Sequence, residues 1–193
     1  MQFNYDSPMH PAPPPHIKAL SPDFETPHFK QALSRFATGV TVITTQDAQT
    51  QGLVGLTVNS FSSVSLDPPL VLWSISNRSA NISHFSTGSE HAIHVLSSQQ
   101  EALALQFATP KADKFAGVTH QLTEDFGAPR IEGCAARFDC VTESVIPAGD
   151  HQIILARVLR YETGPETPLL FARGAFAAAV PAPLVPAKVC STT

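Results

Sequence analysis

The stretch that decides the fold is residues 40–75, which read VTVITTQDAQTQGLVGLTVNSFSSVSLDPPLVLWSI. Residues 40–45 and 53–59 are rich in β-branched side chains and predict two strands. Residues 60–67 are polar and predict a turn, and the apolar run 70–75 predicts a third, buried strand. Short strands that follow one another so closely favour a mainly β domain.

Outside this stretch, further strands alternate irregularly with short helices. Helices are predicted from an N-cap at Thr26 to Gly39, from Asn77 to Phe85, and from a Ser98–Glu101 capping box through Phe107. Strands are predicted at 92–96, 135–145, 152–160 and 169–171. The order lacks the regular βαβ alternation of a doubly wound sheet, so we predict an antiparallel β-barrel with short helical insertions.

Proline marks both ends of the chain. It is frequent up to about Thr26 and again from Pro181, where it fixes φ and removes backbone donors. We therefore expect a Pro-rich N-terminal arm at 1–26, one domain at 27–180 and a C-terminal tail at 181–193.

The composition is that of a globular domain with few charges. Apolar residues make up 43% of the chain, charged residues 15%, and the formal net charge is −4. Because lysine and arginine form no cluster, we expect no binding to nucleic acid or to anionic membranes. No apolar run reaches the roughly 18–20 residues that cross a bilayer. The polar N-terminal stretch lacks the pattern of a secretory signal, so a cytoplasmic location is expected.

The cysteines and histidines show no metal-ligand spacing. Cys134 and Cys140 lie six residues apart, which would place both on one face of a strand, and Cys190 lies near the C-terminus. Buried small side chains are the simplest interpretation, with a redox pair as the alternative. We expect no metal site, and surface or core positions for the histidines, such as His84, His91, His94 and His120.

Three polar segments are candidates for ligand binding. The hydroxyl-rich bend after residue 57 offers neutral donors suited to a phosphate or a polar ring edge, although such hydroxyls also bond their own backbone. Residues 76–79, Ser-Asn-Arg-Ser, precede a predicted helix whose N-terminus and Arg78 suit a phosphate, or they form an ordinary capped helix. His151 follows Gly149 and Asp150 and either contacts a ring ligand, its tautomer set by Asp150 or a carbonyl, or is an exposed turn residue.

Motifs of other nucleotide-binding and hydrolytic folds are absent. No GxGxxG follows a strand, so a dinucleotide would not be held as in a Rossmann fold. The chain also contains no GxSxG and no P-loop, which argues against common hydrolases and NTPases.

Taken in order, the segments resemble the flavin reductase-like family with the FMN-binding split barrel. Members are typically reductase components of two-component flavin monooxygenases. The resembling segments are residues 36–45, 55–69, 76–79, 92–99, 103–108, 133–140, 149–151, 168–171 and 173–176. The resemblance implies an antiparallel split β-barrel, a homodimer, FMN or FAD as flavin, NADH or NADPH as electron donor, and a separate monooxygenase that receives reduced flavin.

The same resemblance implies roles for individual residues. Those that would line the flavin ring and ribityl chain are Thr57, Val58, Asn59 and Ser60. Those that would hold its phosphate side are Ser76, Asn77, Arg78 and Ser79. Phe107 and Ala108 would lie near the same cofactor, and His151 would place the nicotinamide for hydride transfer to the flavin.

The chain departs from the family pattern at three positions. Phe176 stands where relatives often carry tyrosine, so a polar contact from that position is missing. Leu56 replaces a frequent methionine, a mild apolar exchange. Trp73 is bulkier than the usual aliphatic residue and either belongs to the core or narrows the flavin pocket.

Two other functions compete with a flavin reductase. One is a non-catalytic flavin-binding electron carrier on the same barrel, which the missing tyrosine hydroxyl keeps open. The other is a flavin-dependent enzyme that acts on an organic substrate, with the arm or Trp73 shaping its pocket. Turnover of NAD(P)H with free flavin distinguishes the reductase from the carrier, and a ligand cavity beside retained flavin would favour the organic-substrate enzyme.

Overall fold

The computed structural model describes residues 24–110 and 113–180. The expected tail, and the expected arm up to residue 23, lie outside the described residues. The strands are β1 Thr38–Gly39, β2 Thr41–Gln46, β3 Leu53–Val58, β4 Ser62–Leu66, β5 Pro69–Ser76, β6 Glu90–Val95, β7 His120–Thr123, β8 Phe126–Ile131, β9 Ala136–Ala148, β10 His151–Thr163, β11 Leu169–Ala172 and β12 Ala175–Ala178. The helices are α1 Thr26–Leu33, α2 Glu101–Ala108 and a 3₁₀ turn, Ile82–Phe85.

Seven strands form the main sheet in the order β3-β2-β6-β9-β10-β5-β4, and every neighbouring pair is antiparallel. β1, β11 and β12 form a small sheet, and β7 pairs with β8. The prediction of a mainly β, antiparallel barrel is confirmed, and the helices are short insertions as expected. Within residues 24–110 and 113–180, no helix is long and apolar enough to cross a membrane.

The main sheet buries two apolar clusters. One contains Ile43, Trp73 and Ile93, and the other contains Val42 and Phe107. Alternate side chains of β2 enter opposite clusters, which explains why residues 41–45 are all buried. Trp73 is fully buried, so of its two predicted roles the structure supports the core position.

Two local predictions near the candidate ligand-binding segments were wrong. The predicted turn at 60–67 contains β4, an edge strand that pairs with β5. The predicted helix from Asn77 to Phe85 is a turn followed by the short 3₁₀ segment. The N–H of Asn77 donates to the Asp150 carbonyl, and that of Ser79 to the Ser76 carbonyl. These donors belong to a turn, so residues 76–79 offer no helix N-terminus to a phosphate.

Smaller errors concern the ends of elements. α1 ends at Leu33 rather than at Gly39, and its N-cap is Glu25 rather than Thr26. α2 begins at Glu101, and Gln100 occupies its N-cap position instead of Ser98. The Gln100 side chain accepts a hydrogen bond from the Ser97 N–H through Oε1 at 2.9 Å, and no described side chain caps the first turn of α2, so the predicted capping box does not form. The β7–β8 hairpin was not predicted.

Cys134 and Cys140 do not share a strand face. Cys134 precedes β9, whereas Cys140 lies within it and is fully buried. Both are free thiols, and burial raises the pKa of Cys134 to about 11 and that of Cys140 to about 12. Thiols held in the neutral form are poor nucleophiles, which favours the packing interpretation over a redox pair.

Candidate flavin site

A cleft of about 650 Å³ lies where the ends of β3 and β5 meet the start of β10 and the end of α2. Nine residues predicted from the sequence line it, namely Thr57, Val58, Asn59, Ser60, Ser76, Ser79, Phe107, Ala108 and His151. Asn77 and Arg78 lie outside this lining. Folding therefore brings the separate sequence segments to one surface.

The side chain of Ser60 joins the ends of β3 and β5, which are not neighbours in the sheet. Its Oγ accepts a hydrogen bond from the Ser74 N–H at 2.9 Å and donates one to the Ser74 carbonyl at 3.3 Å. The hydroxyl thus bonds both backbone groups of Ser74, as a neighbouring strand would. Its single donor is already used within the protein, so it can only accept a bond from a ligand.

α2 is fastened to β3 at the cleft. Thr57 donates a hydrogen bond from Oγ1 to the Ala104 carbonyl at 2.7 Å. Phe107, on the same helix, is fully buried and stacks edge-on against Phe115, with ring centroids 5.0 Å apart. These contacts make the end of α2 a rigid, largely apolar wall.

Asn77 connects the turn at 76–79 with the hairpin between β9 and β10. Its Nδ2 donates to the Gly149 carbonyl at 3.1 Å, and its backbone N–H donates to the Asp150 carbonyl at 3.0 Å. Gly149 has a φ of 65°, a conformation that glycine adopts without strain. The amide of Asn77 therefore holds the segment that carries His151, which explains why it does not line the cleft.

His151 is oriented by its neighbour in the chain. Its Nδ1 lies 2.8 Å from Oδ1 of Asp150, and its side chain is 45% exposed. The hydrogen bond and charge of His151 lower the pKa of Asp150, with a smaller contribution from the charge of Arg78. An ionised Asp150 favours the proton on Nδ1, which leaves Nε2 free to accept a bond in the neutral ring. Of the predicted ways to fix the tautomer, the structure shows Asp150.

Sequence reasoning missed three polar residues of the lining, Ser74, Asn81 and Lys114. Ser74 could have been found, because the two-residue period of a strand places it on the same face as Ser76. Asn81 lies beyond the predicted motif, and its N–H donates to Ser79 Oγ at 3.2 Å. Lys114 follows α2, and no pattern in the sequence connects it with the strands.

Two of the positions at which the chain departs from the family pattern lie in different surroundings in the structure. Leu56 lines the cleft beside the polar residues. Phe176, by contrast, lies on β12 and packs against Phe171, with ring centroids 5.4 Å apart. It is absent from the lining, so the lost tyrosine hydroxyl does not change the described wall of this cleft.

Charge distinguishes this cleft from two others of comparable size. Its described lining contains no carboxylate, and its titratable side chains are Lys114 and His151. A cavity of about 660 Å³ beside Asp47 and Glu90 is acidic. A third, of about 460 Å³, contains arginines whose charges are balanced by buried Asp139 and by Glu162. Of these three, the cleft beside β3 is therefore the best suited to an anionic nucleotide.

The histidines predicted as surface or core residues occupy such positions. His91 and His94 are fully buried, and desolvation lowers the pKa of each to about 4. His94 bonds the Val42 carbonyl through Nδ1 at 3.1 Å and accepts the Ile131 N–H at Nε2 at 3.0 Å. Among the described residues, no group of three histidine, cysteine or carboxylate side chains could hold a metal ion.

Comparisons with known proteins agree with the flavin-binding role expected of the cleft residues. The family model described as flavin reductase like domain matches residues 33–179. The chain is 45% identical over 148 residues to FMN reductase (NADH) SmoA of Agrobacterium fabrum, covering 77% of this chain and 83% of that protein. It is 40% identical to the reductase component of flavin-dependent trigonelline monooxygenase of Acinetobacter baylyi, covering 76% of this chain. It spans only about half of that relative, 47% of its length.

A solved structure shows the same architecture. NADH:FAD oxidoreductase SgcE6 of Streptomyces globisporus, in complex with NAD and FAD fragments, is 32% identical with a TM-score of 0.76. The match covers 86% of this chain and 98% of SgcE6. By its fold, by the residues gathered at its cleft and by these matches, the chain belongs to the flavin reductase-like domain family.

Proposed function

We propose that the chain is an NAD(P)H:flavin oxidoreductase that supplies reduced FMN or FAD to a separate monooxygenase. The observation that carries this proposal is the meeting of the 57–60, 76–79, 107–108 and 151 segments at one carboxylate-free cleft. The named activities of the relatives support it, since they include FMN reductase with NADH, NADH:FAD oxidoreductase and a monooxygenase reductase component.

The residues of the cleft fit a flavin nucleotide. Leu56, Val58, Ile75 and Ile153 offer apolar surface for a planar ring. Neutral polar side chains beside them suit the polar ring edge and the ribityl chain. The volume of about 650 Å³ falls within the usual range of small-molecule sites.

The proposed roles follow from what each side chain already bonds. Asn59 is exposed at the lining and is free to contact the ligand, while Thr57 and Ser60 offer mainly acceptor lone pairs. Ser76 and Ser79 line the side proposed for the phosphate, with Arg78 outside the lining. Asn77 supports this side indirectly, through the hairpin. The bound flavin and nicotinamide supply the hydride chemistry, and the protein supplies alignment.

His151 is proposed to place the nicotinamide. Hydride transfer requires no proton donor, so His151 is assigned a positioning contact rather than acid–base work. Asp150 supports this assignment, because its hydrogen bond fixes the imidazole orientation at the edge of the cleft.

A homodimer is part of the proposal, and α1 is the surface that supports it. α1 contains no buried residue, and Phe24, Phe29, Leu33 and Phe36 are between 43% and 76% exposed. An eight-residue helix is marginal alone in water, so an apolar face that the described residues leave exposed favours a partner. A second copy would bury the same face of its own helix across a two-fold axis.

Sedimentation velocity of the full chain measures the dimer. Wild type should sediment as a dimer, and Leu33→Ser with Phe36→Ser should shift it toward monomer. Leu159→Ser, which alters a similarly exposed side chain on β10, is the control. A monomeric wild type at about 100 μM would contradict the proposal.

Steady-state oxidation of NADH and NADPH with added FMN or FAD measures the activity. Turnover with free flavin is expected. Tightly bound flavin without turnover would instead indicate an electron carrier. Asn59→Asp should weaken flavin binding, because it adds a carboxylate to the lining, while Gln49→Glu adds the same charge to the acidic cavity and should not.

The domain limits at 27–180 and the cytoplasmic location complete the proposal. The family match at 33–179 falls within these limits. Limited proteolysis with mass spectrometry measures the limits, and cell fractionation measures the location.

A further inference from the structure

Lys114 is a cationic side chain placed in the wall of the flavin cleft. Its Nζ donates a hydrogen bond to the Phe107 carbonyl at 2.7 Å, in the last turn of α2. This contact holds the ammonium group beside Phe107 and Ala108, which line the same cleft.

Among the described residues, no carboxylate forms an ion pair with this ammonium group. The described lining of the cleft contains no carboxylate. The neighbouring Asp113 uses its Oδ1 to accept the Phe115 N–H at 2.9 Å. Partial burial lowers the pKa of Lys114, because the ammonium group is less well solvated there than in water.

Arg78, the cation that the sequence motif suggested, is placed differently. It is exposed, lies outside the lining and acts on the charge of Asp150 at the hairpin turn. Of the two cations, Lys114 is the one with direct access to a ligand in the cleft.

We propose that Lys114 binds an anionic oxygen of the flavin, carried either by its phosphate or by the reduced ring. This inference rests on the proposed function and adds a binding residue to it. A positive charge at this place favours FMN over riboflavin if it meets the phosphate. It favours reduced over oxidised flavin if it meets the ring, because reduction adds negative charge there.

The test uses the full-length protein and two flavins, FMN and riboflavin, in both oxidation states. The variants are Lys114→Met and Lys114→Gln, which remove the charge, and Lys114→Arg, which keeps it. Arg157→Gln is the control, since it removes one positive charge from an ion pair with Glu143 on the sheet. Thermal unfolding of each flavin-free variant reports the loss of the contact with α2 separately.

Loss of the charge should raise the dissociation constant for FMN about 10- to 100-fold, which corresponds to the usual free energy of a hydrogen bond to a charged group. Lys114→Arg should retain most of the affinity, and the control should match wild type. A loss confined to FMN identifies the phosphate, and a loss greater for both reduced flavins identifies the ring.

Unchanged dissociation constants for FMN and riboflavin in both oxidation states would overturn the inference, and Lys114 would then only cap α2. If Lys114→Met fails to fold, Lys114→Gln, which keeps a donor for the Phe107 carbonyl, decides the question. A wild-type protein that binds no flavin would overturn the proposed function itself, so the two failures are distinguishable.

Discussion

Gly55 and Phe107 approach each other so closely that a single methyl group should disturb the wall of the cleft. An ideal Cβ on Gly55 would lie 2.3 Å from Cε1 and 2.5 Å from Cδ1 of Phe107. Carbon atoms normally pack about 3.5–4.0 Å apart, so the ring would have to retreat by more than about 1 Å. Phe107 is fully buried against Phe115, which leaves it little room to move.

Gly55→Ala should therefore lower the free energy of unfolding by about 1–3 kcal/mol, the usual cost of overpacking a core. Urea unfolding of the flavin-free protein measures it, with fluorescence of Trp73, the single tryptophan, as the probe. The same variant should weaken flavin binding, because Phe107 lines the cleft.

A double-mutant cycle with Phe107→Leu tests the cause. The smaller side chain should accommodate the new methyl group. The double variant should therefore lose less unfolding free energy than the two single variants together, by about 1 kcal/mol or more. Wild-type stability of Gly55→Ala, or strictly additive losses, would refute the steric explanation.

Three further predictions concern buried and cleft residues. Burial lowers the pKa of His94 from 6.5 in the unfolded chain to about 4, so the imidazole is neutral in the fold. Its contribution to the free energy of unfolding is therefore complete above pH 6.5 and is lost as pH falls toward 4. The loss of unfolding free energy over this range should be about 3 kcal/mol. His94→Gln should show a shallower decline with falling pH than wild type, and equal slopes for the two proteins would contradict the prediction. Asn77→Ala should raise KM for the nicotinamide several-fold with little change in flavin affinity, and its effect should largely disappear in a His151→Ala background; a weaker FMN affinity would show instead that Asn77 holds the phosphate. His151→Ala should raise KM for NADH or NADPH, and unchanged affinity and turnover would remove its positioning role.

The candidate site could be predicted in part because its segments carry local signals. The bend after Thr57, the Ser-Asn-Arg-Ser element and the Gly-Asp-His turn were each weak alone, and their order along the chain indicated the family. The error at 77–85 arose because helix-compatible residues were judged by local propensity. In the structure, the hairpin at Gly149 and Asp150 takes the hydrogen bonds of Asn77.

The role of Lys114 could not be predicted, since it depends on contacts between distant parts of the chain. Lys114 bonds the end of α2, and α2 is fastened to β3 by Thr57 and Ala104. Neither contact leaves a periodic pattern: the first crosses the loop that follows α2, and the second joins residues 57 and 104, which lie far apart in sequence.

The sequence by itself determined the mainly β architecture, the strand at 40–45 and the set of segments that carry the ligand chemistry. Alternation and β-branched residues act over a few neighbours, so they are visible without a fold. Tertiary structure alone decided which donors remain free: it used Ser60 to join β3 to β5 and Asn77 to hold the hairpin. It also placed Lys114 in the cleft wall. A side chain has a fixed number of donors and acceptors, and only the packed chain shows which of them are already occupied.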